Sequence, residues 1–182
     1  VAFIGPGGAG KSTLTASLAS AGWRLLADDA LVVTVAGSDL LATPAYPGAR
    51  LWPDVVRSVG GSNDAELAAL PRVGAYTEKR RVGTGSAWRF AERQALLRRV
   101  YLLAENEDDK VLVTRVGPRD AIVALLSHAY VLDVADRDRL AAQFGRVCAA
   151  LPSADVRRLS YPRELDRLPA VHAAIFEDLR RP

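Results

Sequence analysis

The chain opens on four apolar residues, Val1-Ala2-Phe3-Ile4, breaks into glycines, and resumes from Thr13 to Ala21 with apolar and small residues at helical spacing. A strand followed by a helix is predicted. After Gly22, the run Trp23 to Ala27 predicts a second strand ending at Asp28-Asp29, and the apolar run Ala30 to Ala36 turns through Gly37-Ser38-Asp39 into Leu40 to Thr43, a hairpin signal. An antiparallel hairpin this early departs from the wholly parallel sheets of ordinary βαβ nucleotide folds. From Gly60 to Gly85 glycines and charges crowd together and periodicity is poor, which predicts long loops with at most one short strand. Arg99 to Glu105 and Val111 to Val116 predict another hairpin, turning through Asn106-Glu107-Asp108-Asp109. The last third reads as helices over Pro118 to His128, Asp136 to Leu151 and Leu168 to Leu179, with a strand at Val156 to Ser160. No internal repeat or low-complexity tract is present.

At 182 residues, 49% of them apolar, the chain suits one globular domain, residues 1–182. It contains no methionine, and Val1 already lies in the first predicted strand, so a segment of a longer chain is expected. No apolar stretch is long enough to span a membrane. The lone cysteine, Cys148, excludes an intrachain disulfide; it shares a helical register with Leu140, Phe144, Val147 and Leu151, which predicts a buried helix position. A cytoplasmic location is expected. The net charge is +3, and of the 24 basic residues only Lys11, Lys79 and Lys110 are lysines. The arginines are scattered over the whole length without a basic stripe interleaved with aromatics, which argues against nucleic acid as a partner.

Gly5 to Ser12 reads Gly-Pro-Gly-Gly-Ala-Gly-Lys-Ser, a G-x-x-x-x-G-K-S loop between the first strand and the first helix. The strand–loop–helix context is the one in which this motif cradles nucleotide phosphates. Glycines let the backbone wrap closely, and N–H groups of Gly7, Gly8, Ala9, Gly10, Lys11, Ser12 and Thr13 become available to phosphate oxygens at the positive end of the helix. Lys11 would reach the β- and γ-phosphates and Ser12 would ligate Mg²⁺, so ATP with Mg²⁺ is the expected ligand pair.

A helix of about ten residues runs roughly 15 Å away from the phosphates, and a strand of about five returns by a similar distance. Were that strand parallel to the first, Asp28 and Asp29 would emerge beside Lys11 and Ser12, at the sheet edge where open α/β folds bind ligands. Phosphoryl transfer to a hydroxyl needs a carboxylate for the metal and one for the incoming proton, and two adjacent aspartates can divide those roles. Glu78-Lys79-Arg80-Arg81 reads either as a cationic lid, with Lys79 and Arg81 on the triphosphate, or as solvated surface. Arg50 is a candidate contact for phosphate or an acidic substrate, Trp52 reads as a packing anchor, and His128 as a buried, hydrogen-bonded histidine.

The loop Gly5-x-x-Gly8-x-Gly10-Lys11-Ser12 together with Leu26-Ala27-Asp28-Asp29 resembles the catalytic domain of HPr kinase/phosphorylase, and more closely the short HPr-kinase-like serine kinases. The resemblance extends through Tyr46-Pro47-x-x-Arg50-Leu51-Trp52-Pro53-Asp54, Glu78-Lys79-Arg80-Arg81 and Ser127-His128-Ala129-Tyr130. It implies an α/β fold with a P-loop-containing mixed sheet related to phosphoenolpyruvate carboxykinase and a helical C-terminal third. It also implies ATP, Mg²⁺ and transfer to a serine hydroxyl of a protein or peptide, with Asp28 as general base and Asp29 supporting the metal.

Two other readings stay open. In one, a nucleotide or small-molecule kinase uses Val100 to Ala104 as its second conserved strand and Glu105 as the acid, although Glu105 then lies in the predicted hairpin turn. In the other, the domain senses ATP without transferring phosphate and has no need of Asp28. The oligomeric state is open, a homo-oligomer included.

Overall fold

A computed structural model describes residues 1–83, 88–106, 108–131 and 135–181. The first strand, β1 (Ala2–Ile4), leads through the glycine loop into α1 (Lys11–Ser20). The strand predicted after it, β2, is confined to Arg24–Leu25. The early hairpin forms as expected, with β3 (Val32–Ala36) antiparallel to β4 (Asp39–Thr43) and Gly37 at φ +63° in the turn. Then come β5 (Gly48–Leu51), α2 (Pro53–Gly60), α3 (Asp64–Ala69), β6 (Arg72–Gly74), β7 (Thr77–Gly83), β8 (Arg89–Phe90) and β9 (Ala95–Leu96). The chain finishes with β10 (Val100–Glu105), β11 (Leu112–Arg115), α4 (Pro118–Ser127), α5 (Arg137–Ala150), β12 (Val156–Tyr161) and α6 (Leu168–Arg180).

Within the stretch expected to be loops, residues 64–83 therefore carry a helix and two strands. Asn63 caps α3 through a reciprocal pair, its side chain accepting from the Glu66 amide while the Glu66 carboxylate accepts from the Asn63 amide. Pro53 opens α2 at the position where its missing N–H costs nothing. Both signals were in the sequence, but the helices are too short to show periodicity. Glu78 to Arg81 belongs to β7, so the lid reading of that segment is corrected: it is a strand held between β5 and β6.

The principal sheet runs β1-β10-β12-β11, with β1, β10 and β12 parallel and β11 antiparallel to β12. The expected hairpin between β10 and β11 does not form, because β12 lies between them. Burial explains the order. Val100, Tyr101 and Leu103 of β10 are buried, as befits a strand with neighbours on both sides, whereas Leu112 of β11 is 47% exposed at an edge. Leu14 and Leu18 of α1 join Leu168, Val171 and Ile175 of α6 over Tyr101, Leu159 and Tyr161 to make one core cluster. The α6 positions recur at helical spacing and bury a single stripe. A second cluster sets Ala16 and Ala19 of α1 against Leu51, Val55, Val56 and Val82, so α1 is gripped from two sides.

Two burial expectations fail. α5 has no buried residue: Phe144 is 52% exposed and Cys148 is half-buried, because the helix covers the molecule's flank without being covered in turn. His128 is exposed at the end of α4. Among the described residues, no helix is long and apolar enough to cross a membrane.

Candidate active site

The glycine loop is anchored at its base and open at its rim. Ala9 is 2% exposed and packs into the core beneath the loop, whereas Pro6, Gly7 and Gly8 face solvent. Gly10 precedes α1 at φ +86°, and a Cβ there would lie 3.2 Å from the Tyr161 hydroxyl, so the position demands glycine on both counts. No side chain caps α1, and its first turn holds no acidic residue. The leading N–H groups are thus left to an anion.

Lys11 curls back over the loop, its Nζ donating to the Gly5 and Pro6 carbonyls at 2.8 Å each. Partial burial holds its pKa below the usual lysine value; the Asp28 carboxylate works against that shift and the Lys79 ammonium adds to it. Lys11, Asp28 and Lys79 therefore share one electrostatic neighbourhood.

Asp28 arrives by a route other than the one expected. β2 pairs in parallel with β8 in a separate two-stranded sheet and does not lie in the sheet of β1. Past β2, the Ala45 amide donates to the Leu26 carbonyl, and Asp28 is then caught from both sides. Ser12 Oγ donates to its Oδ1 at 2.9 Å, and the Arg50 amide donates to its Oδ2 at 2.9 Å. Asp29 forms an ion pair with the Arg50 guanidinium and has φ 38°, the one positive φ outside glycine among the described residues. Strained backbone of this kind persists where the surroundings over-determine it. Here it directs two adjacent carboxylates to different partners.

Lys79 is half-buried, with its Nζ 5.4 Å from the centroid of the Trp52 ring. Trp52 is 50% exposed, which corrects its reading as a packing anchor. Arg81 is exposed and donates to the Val73 carbonyl at 3.2 Å. Thr13 lies in the first turn of α1. Glu105 ends β10, the parallel neighbour of β1, and pairs with Arg163 at 3.3 Å. It closes a strand and does not lie in the hairpin turn expected there. His128 comes within electrostatic range of Lys11; its pKa is lowered first by partial burial and second by that ammonium. Sequence reasoning placed His128 in the core because the preceding α4 residues are apolar.

Comparison with protein-family models, with curated proteins and with solved structures finds no match.

Among the described residues no three His, Cys, Asp or Glu side chains cluster as a self-contained metal cage. Ser12 and Asp28 instead offer two hard oxygen donors side by side. Such a pair suits Mg²⁺, which favours one or two protein oxygens combined with substrate phosphates and water.

Proposed function

We propose that this chain is an ATP- and Mg²⁺-dependent phosphotransferase acting on a serine or other alcohol hydroxyl of a protein or peptide, in the manner of the HPr-kinase-like serine kinases it resembles. The observation that carries the proposal is the Ser12–Asp28 hydrogen bond. It brings an acidic side chain from a distant turn to the hydroxyl that the phosphate-loop motif assigns to the metal.

In this reading the loop amides and Lys11 hold the triphosphate, Lys11 exchanging its two loop carbonyls for phosphate oxygens. Lys79 adds a second cation, and a triphosphate between two ammonium groups would relieve their mutual repulsion. Ser12 and Asp29 would hold Mg²⁺, which when bound neutralises charge on the β- and γ-phosphates. Asp28 takes the acceptor's proton. Its two oxygens each accept one hydrogen bond and each keep a lone pair for that purpose. Asp29, held by Arg50, keeps the turn in shape and supports the metal side.

The direct test is transfer of labelled γ-phosphate from ATP to serine-bearing peptides, with calorimetry of Mg-ATP on the unaltered chain and on Lys11→Ala. Unchanged ATP affinity in that variant would remove the phosphate-loop assignment, and ATP binding without transfer to any hydroxyl donor would leave a sensing module.

A second reading is favoured by the position of Glu105 at the C-terminal end of the strand beside β1, where P-loop kinases place a metal-supporting acid. Its distance from Ser12 in the hydrogen-bond network counts against it, since Ser12 is bonded to Asp28 and Glu105 to Arg163.

A further inference from the structure

The outward face of the β5–β7 pair carries charge that the chain itself does not balance. Alternation along β5 sends Ala49 and Leu51 into the core, which leaves Gly48, Arg50 and, two residues on, Trp52 on the opposite side. Arg50 is in register with Arg81, and Lys79 follows on the same side with its ammonium over the Trp52 ring. The Tyr46 ring covers Gly48, since a Cβ at that glycine would lie 2.7 Å from Tyr46 Cε1. Tyr46 is 69% exposed. Two rings and three cations thus share one open strand face.

Like charges directly opposed on antiparallel strands repel. Among the described residues, Asp29 on Arg50 is the only carboxylate in ion-pair contact with any of the three cations. The face is also continuous with the acidic pair, because the Arg50 amide that borders it is the group holding Asp28.

Resting on the phosphotransfer reading above, we propose that this face binds an acidic peptide segment flanking the hydroxyl to be phosphorylated. A hydroxyl delivered to Asp28 leaves its neighbouring residues over Arg50 and Arg81. Guanidinium groups take carboxylates through paired hydrogen bonds, and the exposed rings supply contact area at little entropic cost. An open strand surface suits an extended chain better than an enclosed small molecule. Rings interleaved with cations can also take single-stranded nucleic acid. Only the peptide brings a serine hydroxyl to Asp28, as the phosphotransfer reading requires, so the peptide is favoured and the oligonucleotide is kept as an outcome of the test.

Fluorescence anisotropy on the full chain tests this with three labelled probes: Glu-Glu-Ser-Glu-Glu, its counterpart Gln-Gln-Ser-Gln-Gln, and an oligodeoxythymidylate. The acidic peptide should bind about five- to tenfold more tightly than the amide peptide, as expected for two exposed ion pairs, and the preference should fade as salt is raised. Arg81→Gln should remove most of the preference and Arg81→Lys should restore part of it. If Arg81→Gln loses its circular dichroism signature, Tyr46→Ser provides the second variant and should weaken both peptides together. Equal affinity for the two peptides, or tighter binding of the oligonucleotide than of the acidic peptide, overturns the proposal. Mg-ATP calorimetry on the unaltered chain is read separately. An acidic preference that depends on Arg81, found without any ATP binding, would keep this surface and discard the phosphotransfer reading alone.

Discussion

Ser12 Oγ lies 2.9 Å from Asp28 Oδ1, so the first turn of the helix after the glycine loop is tied to a carboxylate that enters from the end of a different sheet. The contact joins two oxygen donors of the type Mg²⁺ accepts. Ser12→Ala should therefore weaken ATP binding chiefly in its Mg²⁺-dependent part. Calorimetry with Mg²⁺ and with excess chelator separates the two parts, and an equal loss in both would remove the metal role of Ser12.

Tyr101 is fully buried, and its hydroxyl donates to Asp178 Oδ2 at 2.8 Å. Burial, followed by that hydrogen bond, pushes the Tyr101 pKa well above its ordinary value. Asp178 is 4% exposed, and Arg99 stands 3.4 Å from it while also pairing with Asp155. Removing the hydroxyl should cost about 1 kcal/mol, the net worth of one hydrogen bond. Removing the carboxylate leaves the buried Tyr101 hydroxyl without its acceptor and takes from Arg99 one of its two carboxylate partners, so Asp178→Ala should cost more, about 2–3 kcal/mol. Urea unfolding of Tyr101→Phe and Asp178→Ala checks the order, and equal losses would refute the account.

His172 Nε2 lies 2.9 Å from Ser17 Oγ, bridging α6 and α1, and burial lowers its pKa. The unfolded chain then takes up a proton at a higher pH than the folded one. Stability from this group is fully present above the ordinary histidine value and is lost as pH falls through it toward the lowered one. Urea midpoints of the unaltered chain should fall between pH 7 and pH 5, and His172→Gln should flatten that fall. An unchanged slope in the variant would assign the acid sensitivity to other groups.

The loop, the first helix, the early hairpin and the three C-terminal helices were legible because each rests on local chemistry: glycine spacing, helical periodicity, a turn dipeptide. The order of the principal sheet was not, because the pairing of β10 with β12 is decided by relative burial across about fifty residues. At the site, Ser12 and Asp28 do come together, but by way of a separate two-stranded sheet and not along the sheet of β1 as the spacing argument had it. Arg50 was visible only as a cation; its decisive group is the backbone amide that fixes Asp28, and no side-chain pattern reports a backbone donor. His128 was misplaced because apolar neighbours on α4 suggested a core position, whereas the helix ends there and leaves the ring exposed.

Asp28 decides most. If it accepts the proton, Asp28→Asn keeps its shape and can still accept one hydrogen bond, from Ser12 or from the Arg50 amide, while it can no longer take the acceptor's proton. ATP affinity should persist and transfer should fall by about 10²-fold to 10⁴-fold, the usual contribution of a positioned base. The transition state of phosphoryl transfer is loose, so little proton removal is needed before the bond to phosphorus forms, which places the loss toward the lower end. Asp29→Asn should act differently: it weakens the pair with Arg50 and should raise the Mg²⁺ requirement more than it lowers the metal-saturated rate. Glu105→Gln should disturb only the contact with Arg163 and leave transfer nearly intact. Rates measured with labelled ATP at several Mg²⁺ concentrations distinguish the three variants. Full transfer by Asp28→Asn together with a collapse in Glu105→Gln would move the acid to the end of β10 and make the chain a P-loop kinase of the ordinary parallel type.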